Sequence, residues 1–148
     1  MDKVLFSSKR MDWETPQELF NELDREFHFT LDPCATAKTA KCSRYYTKEQ
    51  DGLKQSWGGQ TVFCNPPYGR ELPKWIEKCF KESSNATVVM LIPARTDTKA
   101  FHEYIYNKAE IRFIKGRVKF LIDGEQGDAA PFPSMIVIFK RRENGKSD

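Results

Sequence analysis

Thr61-Val62-Phe63-Cys64-Asn65-Pro66-Pro67-Tyr68-Gly69 decides how this chain is read. Thr61-Val62-Phe63 is a β-branched and aromatic run, the signature of a buried strand. Residues 72–80 follow with Leu72, Trp75, Ile76, Cys79 and Phe80 on one helical stripe. A polar side chain, two prolines and an aromatic therefore stand where a strand has ended and a helix has not begun. In open α/β sheets, ligands bind at that edge, beyond the carboxyl ends of the strands.

The tetrad Asn65-Pro66-Pro67-Tyr68 suits one chemical task, holding an amino group on a planar ring. Asn65 offers a side-chain carbonyl as acceptor. Consecutive prolines fix φ, stiffen the turn and bias Asn65 toward an extended backbone. The carbonyls of Asn65 and Pro66 can then accept from one amino group. Tyr68 supplies a flat face, and stacking a base on such a face contributes roughly 1–3 kcal/mol. The bland alternative is a Pro-Pro turn capping a strand. The tetrad alone does not separate the two, so the rest of the chain must.

Outward from the tetrad, strands and helices alternate. Thr15-Pro16-Gln17-Glu18 predicts a helix start, with Thr15 and Glu18 as a capping box and Pro16 at the first helical position. Residues 27–31 alternate and predict a strand ending at Asp32-Pro33-Cys34-Ala35. A short strand is expected over 43–46, and Asp51-Gly52-Leu53 is a turn signal. Residues 87–92 are continuously apolar, as in a central strand covered on both faces. A third helix is expected over 98–109, strands over 110–114 and 117–121, a Gly/Pro/Asp-rich loop over 123–133 and a final buried strand over 134–139. This order predicts an α/β doubly wound, mostly parallel sheet with an antiparallel C-terminal edge, in a minimal single domain. The expected boundaries are an N-terminal arm over 1–12, the domain over 13–140 and a polar tail over 141–148.

Composition bounds the function. The 148 residues suffice for one core, and no apolar run approaches the ~20 residues a membrane span needs. A cytoplasmic protein with no membrane partner is expected. The net charge of +3 does not by itself argue for nucleic acid. Its distribution says more. Lys38, Lys41, Arg44 and Lys48 form one acid-free stretch, and Arg112, Lys115, Arg117 and Lys119 another. Segregated charge fits a phosphate-facing side, and ordinary solvated surface is the competing reading. The four cysteines form no C-x-x-C pair and stand at no zinc spacing from His28 or His102, so no metal is expected. Reduced thiols are expected, with Cys64 and Cys79 as small core residues.

Asp32, at a second strand end, is an acceptor for an ammonium or for ribose hydroxyls; the competing reading is an Asp-Pro turn. Asp51 is an acceptor for an adenine amino group or else an Asp-Gly turn. Thr15 holds a carboxylate at a helix start or is only a cap. A G-x-G loop is absent, which disfavours a dinucleotide.

Taken together, Trp13-x-Thr15-Pro16, Leu31-Asp32-Pro33-Cys34-Ala35, Asp51-Gly52-Leu53, Asn65-Pro66-Pro67-Tyr68 and Leu91-Ile92-Pro93-Ala94 resemble the phage-type DNA N6-adenine methyltransferase (Dam) family in order and spacing, over roughly residues 12–140. The resemblance implies a Rossmann-like S-adenosylmethionine-dependent methyltransferase fold, S-adenosylmethionine as cofactor, and double-stranded DNA as partner. A phage origin, and with it a host-cell cytoplasm, is the usual setting. It implies that Asn65, Pro66, Pro67 and Tyr68 are catalytic. It implies that Trp13, Thr15, Pro16, Asp32, Pro33, Cys34, Ala35, Asp51, Leu53 and Asn65 line the cofactor. Cys34-Ala35 stands where larger amino-methyltransferases have a glycine-rich loop, and a separate target-recognition domain is missing.

The expected reaction is direct methyl transfer to the adenine N6 nitrogen after the base leaves the duplex. Arg95, Arg117 and Lys119 are the expected phosphate contacts. The competing functions are a methyltransferase acting on RNA or on a protein amide, and a non-catalytic DNA-binding module. A zinc-dependent regulator ranks below both. The sequence carries no signal for a recognition site or an oligomeric state.

Overall fold

Strand β2 is the axis of the molecule, and its sequence says why: from Val88 onward every side chain is buried, as an all-apolar run covered on both faces must be. The computed structural model describes residues 13–142, so the expected arm over 1–12 and most of the expected tail lie outside the described residues. The elements are helices α1 (Gln17–Phe27) and α2 (Leu72–Glu82) and strands β1 (Thr61–Cys64), β2 (Thr87–Pro93), β3 (Glu110–Phe113), β4 (Leu121–Ile122), β5 (Glu125–Gln126) and β6 (Ser134–Phe139).

The main sheet runs in the order β1-β2-β6-β3. β1 and β2 are parallel, with Thr61 opposite Thr87 and Cys64 opposite Met90. β6 is antiparallel to both neighbours, with Leu91 opposite Ile136 and Ile111 opposite Val137. The sheet is therefore mixed rather than mostly parallel. The antiparallel edge expected at the C-terminus is present: β6 and β3 pair antiparallel at one side of the sheet, with β6 internal and β3 outermost. The chain leaves β3 and enters β6 at the same end of the sheet, and a return of that kind reverses direction. Beyond β1, single parallel bridges extend the sheet from Leu31 to Val62 and from Asp32 to Tyr45.

Alternation along β1 assigns the two covering layers. Phe63 meets Phe20 of α1, with ring centroids 5.2 Å apart, whereas Cys64 on the other face meets Cys79 of α2. The result is a small α/β domain of three layers. Each fully buried Leu, Ile, Val or Met on β2 and β6 contributes about 1.5–3 kcal/mol of transfer free energy. No helix among the described residues is long and apolar enough to cross a membrane.

Four local expectations are corrected. Helix α1 begins one residue late: Pro16 is the N-cap, no side chain caps the end, and the Thr15 hydroxyl is drawn into the site described below. The strand expected over 27–31 shrinks to one bridge, because Asp24 ends the helix there. Its carbonyl takes the His28 N–H (2.8 Å) and its carboxylate the Phe29 N–H (2.8 Å), with His28 at φ 59°. The helix expected over 98–109 is one π-helical turn, Phe101–Ile105, closed by Tyr106 N–H to Phe101 O (2.8 Å). The strand expected over 117–121 pairs with no strand of the main sheet, since its backbone partners are Ala130, Gly127, Gln126 of β5 and Glu14.

Candidate active site

Because β3 is antiparallel to β6 and β6 to β2, the carboxyl ends of β1, β2 and β3 share one rim. Across it lie the tetrad after β1, Ala94-Arg95 after β2, Phe132-Pro133 before β6 and Ile114-Lys115 after β3. The bridges at Leu31 and Asp32 continue the rim on the other side of β1.

That other side holds a cavity of about 860 Å3. It is lined by Trp13, Thr15, Asp32, Pro33, Cys34, Ala35, Asp51, Leu53, Asn65, Pro66 and Pro67. Of the ten residues expected around a cofactor, Pro16 alone does not line it. Glu14, Lys41, Lys48, Glu71 and Trp75 also line it and were not expected there. Lys41 had a signal in its basic run. Glu14 had none.

Two of the lining segments are held in contact by the lack of a side chain. A Cβ on Gly52 would lie 2.1 Å from the Pro33 carbonyl oxygen and 3.1 Å from the Trp75 ring. Asp51, at φ 58°, accepts from the Leu53 N–H (3.1 Å), and the Gly52 carbonyl accepts from the Trp57 indole N–H (3.0 Å). Asp32 is buried and accepts from the backbone N–H groups of Cys34 (3.3 Å) and Lys41 (3.0 Å). Burial pushes its carboxyl above the ordinary aspartate range, and those two N–H groups oppose the shift. Each oxygen has accepted one hydrogen bond and retains capacity for another. Burial likewise holds the Lys41 ammonium below its usual range, and that ammonium donates to Gln17 Oε1 (3.0 Å) near Glu14.

Asn65 joins the cavity to the interior. Its amide Nδ2 donates to the Trp13 carbonyl and to the Thr15 hydroxyl (3.0 Å). Its Oδ1 accepts from the Tyr68 hydroxyl at 2.6 Å, and the Leu91 carbonyl lies 2.9 Å from the same hydroxyl. One phenolic proton thus faces two acceptors. The amide is oriented by three elements, which fixes the position of its oxygen.

Tyr68 departs from expectation. Its ring is only 3% exposed and offers no open face. Trp13 lies nearly parallel to it (17°, centroids 6.4 Å apart), Phe132 edge-on at 5.7 Å and Phe120 edge-on at 6.2 Å. Trp13 also contacts Phe132 at 5.1 Å and Phe120 at 5.5 Å. These four rings form a closed aromatic cluster behind the tetrad. Burial keeps the Tyr68 phenol neutral.

Arg95, Arg117 and Lys119 are exposed on the rim and outside the cavity. Arg95 stands over the Phe132 ring (5.8 Å), and Arg117 donates to the Ala130 carbonyl (3.3 Å). Arg112, grouped with them by charge, is engaged elsewhere. Its guanidinium makes paired 2.8 Å bonds to Glu26 and a third to Glu110. No disulfide joins the four cysteines; Cys64 and Cys79 are buried, and burial pushes the Cys42 thiol up to about 12. Among the described residues, no three His, Cys, Asp or Glu side chains group to hold a metal.

Comparison with known proteins gives the same frame. A family model described as DNA N-6-adenine-methyltransferase (Dam) matches residues 4–147. The DNA N-6-adenine-methyltransferase of Haemophilus phage HP1 (strain HP1c1) is 34% identical over 135 residues, covering 86% of this chain and 78% of the relative. That of Escherichia phage T1 is 32% identical over 117 residues, covering 77% of this chain and 49% of the relative, so the chain spans about half that protein's length.

Proposed function

Since the chain belongs to the DNA N-6-adenine-methyltransferase (Dam) family, we propose that it transfers a methyl group from S-adenosylmethionine to the N6 nitrogen of adenine in double-stranded DNA, using the Asn65–Tyr68 tetrad. The observation that carries this reading is the cavity itself. Residues from five separate stretches of the sequence converge on one volume that ends at Asn65.

The lining suits the cofactor. Sites for ligands of this size commonly enclose ~300–1,000 Å3. Glu14, Asp32, Asp51 and Glu71 face Lys41 and Lys48, an acidic excess that complements a net-positive molecule. Asp32 and Asp51 would accept from ammonium or hydroxyl groups and from an adenine amino group. Gly52 keeps those two carboxylates within reach of one ligand. The mixed sheet, with the cavity and tetrad at its carboxyl rim, supports a Rossmann-like methyltransferase fold. When bound, the cofactor supplies a methyl group on a positively charged sulfur.

The chain's own residues do the rest. The adenine amino nitrogen is a poor nucleophile because its lone pair is delocalised into the ring. Asn65 Oδ1 and the Pro66 carbonyl accept from that amino group, draw the nitrogen toward tetrahedral geometry and localise the lone pair. They also aim it along the methyl–sulfur bond, and such positioning supplies roughly 7–11 kcal/mol in favourable cases. The positive charge that arrives with the methyl group would develop on N6 beside the Asn65 and Pro66 carbonyl dipoles, which stabilise it without reorganising, and the methylated nitrogen, now acidic, would release one N–H proton to water. The base reaches the tetrad by leaving the duplex, which costs a few kcal/mol, and stacking on Tyr68 offsets part of that. Arg95, Arg117 and Lys119 contact phosphates.

Incubating the protein with methyl-labelled S-adenosylmethionine and duplex DNA tests the reading. Label in N6-methyladenine after nuclease digestion is the expected result. Label in RNA or protein alone, or in no acceptor, overturns it.

A further inference from the structure

Residues 114–133 leave edge strand β3 and enter internal strand β6 at the tetrad's rim. This excursion has two faces. Its first half exposes Lys115, Arg117 and Lys119, preceded by Phe113 at 66% exposure, with no acid between 111 and 122. Val118 and Phe120 point the other way and are buried, as an extended chain dictates. Phe120, with Phe132 from the far end of the excursion, covers Tyr68. The same short run thus presents charge to solvent and a ring to the catalytic tyrosine.

The excursion is tied to itself and anchored at its base. Gly127 N–H bonds Phe120 O (3.0 Å) and Ala130 N–H bonds Val118 O (2.9 Å). Ile114 N–H bonds Ser134 O (3.1 Å) and Ala94 N–H bonds Pro133 O (2.9 Å). Further out, Leu121 N–H to Glu14 O (2.8 Å) fastens it to the segment bearing Trp13. These bonds tie the excursion into one unit.

We propose that residues 114–133 form a DNA-reading flap, and that seating a duplex on Lys115, Arg117 and Lys119 is coupled to lifting Phe120 and Phe132 from Tyr68. The proposal rests on the methyl-transfer reading insofar as it makes Tyr68 the seat of the target base. Its partner is duplex DNA because the exposed charge is an acid-free run of cations on the rim where the base must enter. From β1 to β3 the rim spans three strand spacings of about 4.8 Å, which is about four base pairs of rise at ~3.4 Å each. Phe120 and Phe132 leave Tyr68 no open face, so the contacts that hold them there lower the apparent affinity for DNA by the fraction of molecules that are open. Weakening the closing contacts must therefore strengthen DNA binding.

The test measures binding of a random-sequence 30-base-pair duplex by fluorescence anisotropy across a salt series, with S-adenosylmethionine binding by calorimetry alongside. Lys115→Glu/Arg117→Glu/Lys119→Glu should lose tenfold or more in duplex affinity. Its slope of log affinity against log salt should fall by roughly 0.9 per lost phosphate contact. Phe132 is only partly buried, so Phe132→Ala should fold, and it should bind duplex severalfold more tightly. Phe132→Leu should fall between Ala and wild type. Unchanged duplex binding by the triple variant overturns the proposal. So does the reverse order at position 132, which is what a fixed wall would give. Wild-type protein that binds duplex through these lysines but takes up no S-adenosylmethionine would overturn the methyl-transfer reading instead and leave the flap's DNA surface standing.

Discussion

The two halves of the rim are built oppositely. On the Asp32 side of β1 the chain leaves a polar cavity with its acceptors oriented by backbone N–H groups. On the β3 side it packs four aromatic rings together and leaves no such space around Tyr68. The first half is ready for a small molecule. On the proposed reading, the second must rearrange before a base can stack. A site that is preformed for one reactant and closed against the other keeps a reactive methyl group away from stray acceptors until the proper one arrives.

Asn65 sits on the boundary, so replacing it should break the comparison hardest. Asn65→Ala removes the oriented acceptor and releases Trp13 and Thr15 together. Methylation of duplex DNA should fall by about 10²-fold or more, as when one oriented polar group is deleted from a transition-state site. Calorimetry should show a much smaller loss for S-adenosylmethionine. Full activity would remove the tetrad from the mechanism. Next comes Gly52→Ala. Its Cβ has no space against the Pro33 carbonyl, and overpacking of this kind costs about 1–3 kcal/mol. A lower melting temperature together with weaker cofactor binding is expected, with no change in the salt dependence of DNA binding.

The third prediction is a pH dependence. On the proposed reading an ionised Asp32 accepts from the cofactor, and burial raises its carboxyl above the ordinary aspartate range. Affinity for S-adenosylmethionine is then full above that raised value and is lost as the pH falls through it, which sets in before ordinary carboxylates protonate. Titration calorimetry between pH 7.5 and pH 4.5 on wild type and Asp32→Asn checks this: the variant should bind weakly and lack that limb of the profile. The smallest effect is expected of Arg112→Ala. Its ion pairs with Glu26 and Glu110 are roughly half exposed, so stability should drop by no more than about 1 kcal/mol. Duplex affinity should not change. A loss of duplex affinity would return Arg112 to the basic surface that the structure removes it from.

Legibility from sequence followed the range of the interactions. Thr61–Cys64 and Leu72–Glu82 were readable because local apolar spacing alone specifies them. The polar half of the site was readable for a related reason, since each of its segments carries its own signal: Asp-Pro, Asp-Gly or Pro-Pro. What misled were places where a tertiary partner overrode a local pattern. Thr15 and Glu18 spell a capping box, but Asn65 claims the Thr15 hydroxyl from 50 residues away. Residues 117–121 alternate like a strand, and they do lie extended, yet the inward ring of Phe120 packs on Tyr68 rather than on a sheet neighbour. The aromatic cluster was illegible altogether. Trp13, Tyr68, Phe120 and Phe132 share no spacing, and only the folded chain brings them together.

The placement of β6 has a consequence in time. Synthesis delivers β1, β2 and β3 first, yet β2 and β3 touch only through a strand that has not yet emerged. Until residues 134–139 arrive, the apolar side of β2 that they will cover stays open and the edge strand has nothing to pair with. The late strand closes the sheet by long-range pairings, the slow kind. Since the Pro133 carbonyl also anchors Ala94 beside the rim, the tetrad's end of the sheet is among the last parts of the molecule to take shape. A nascent chain halted before residue 134 would carry the whole tetrad and still lack the framework that aims it.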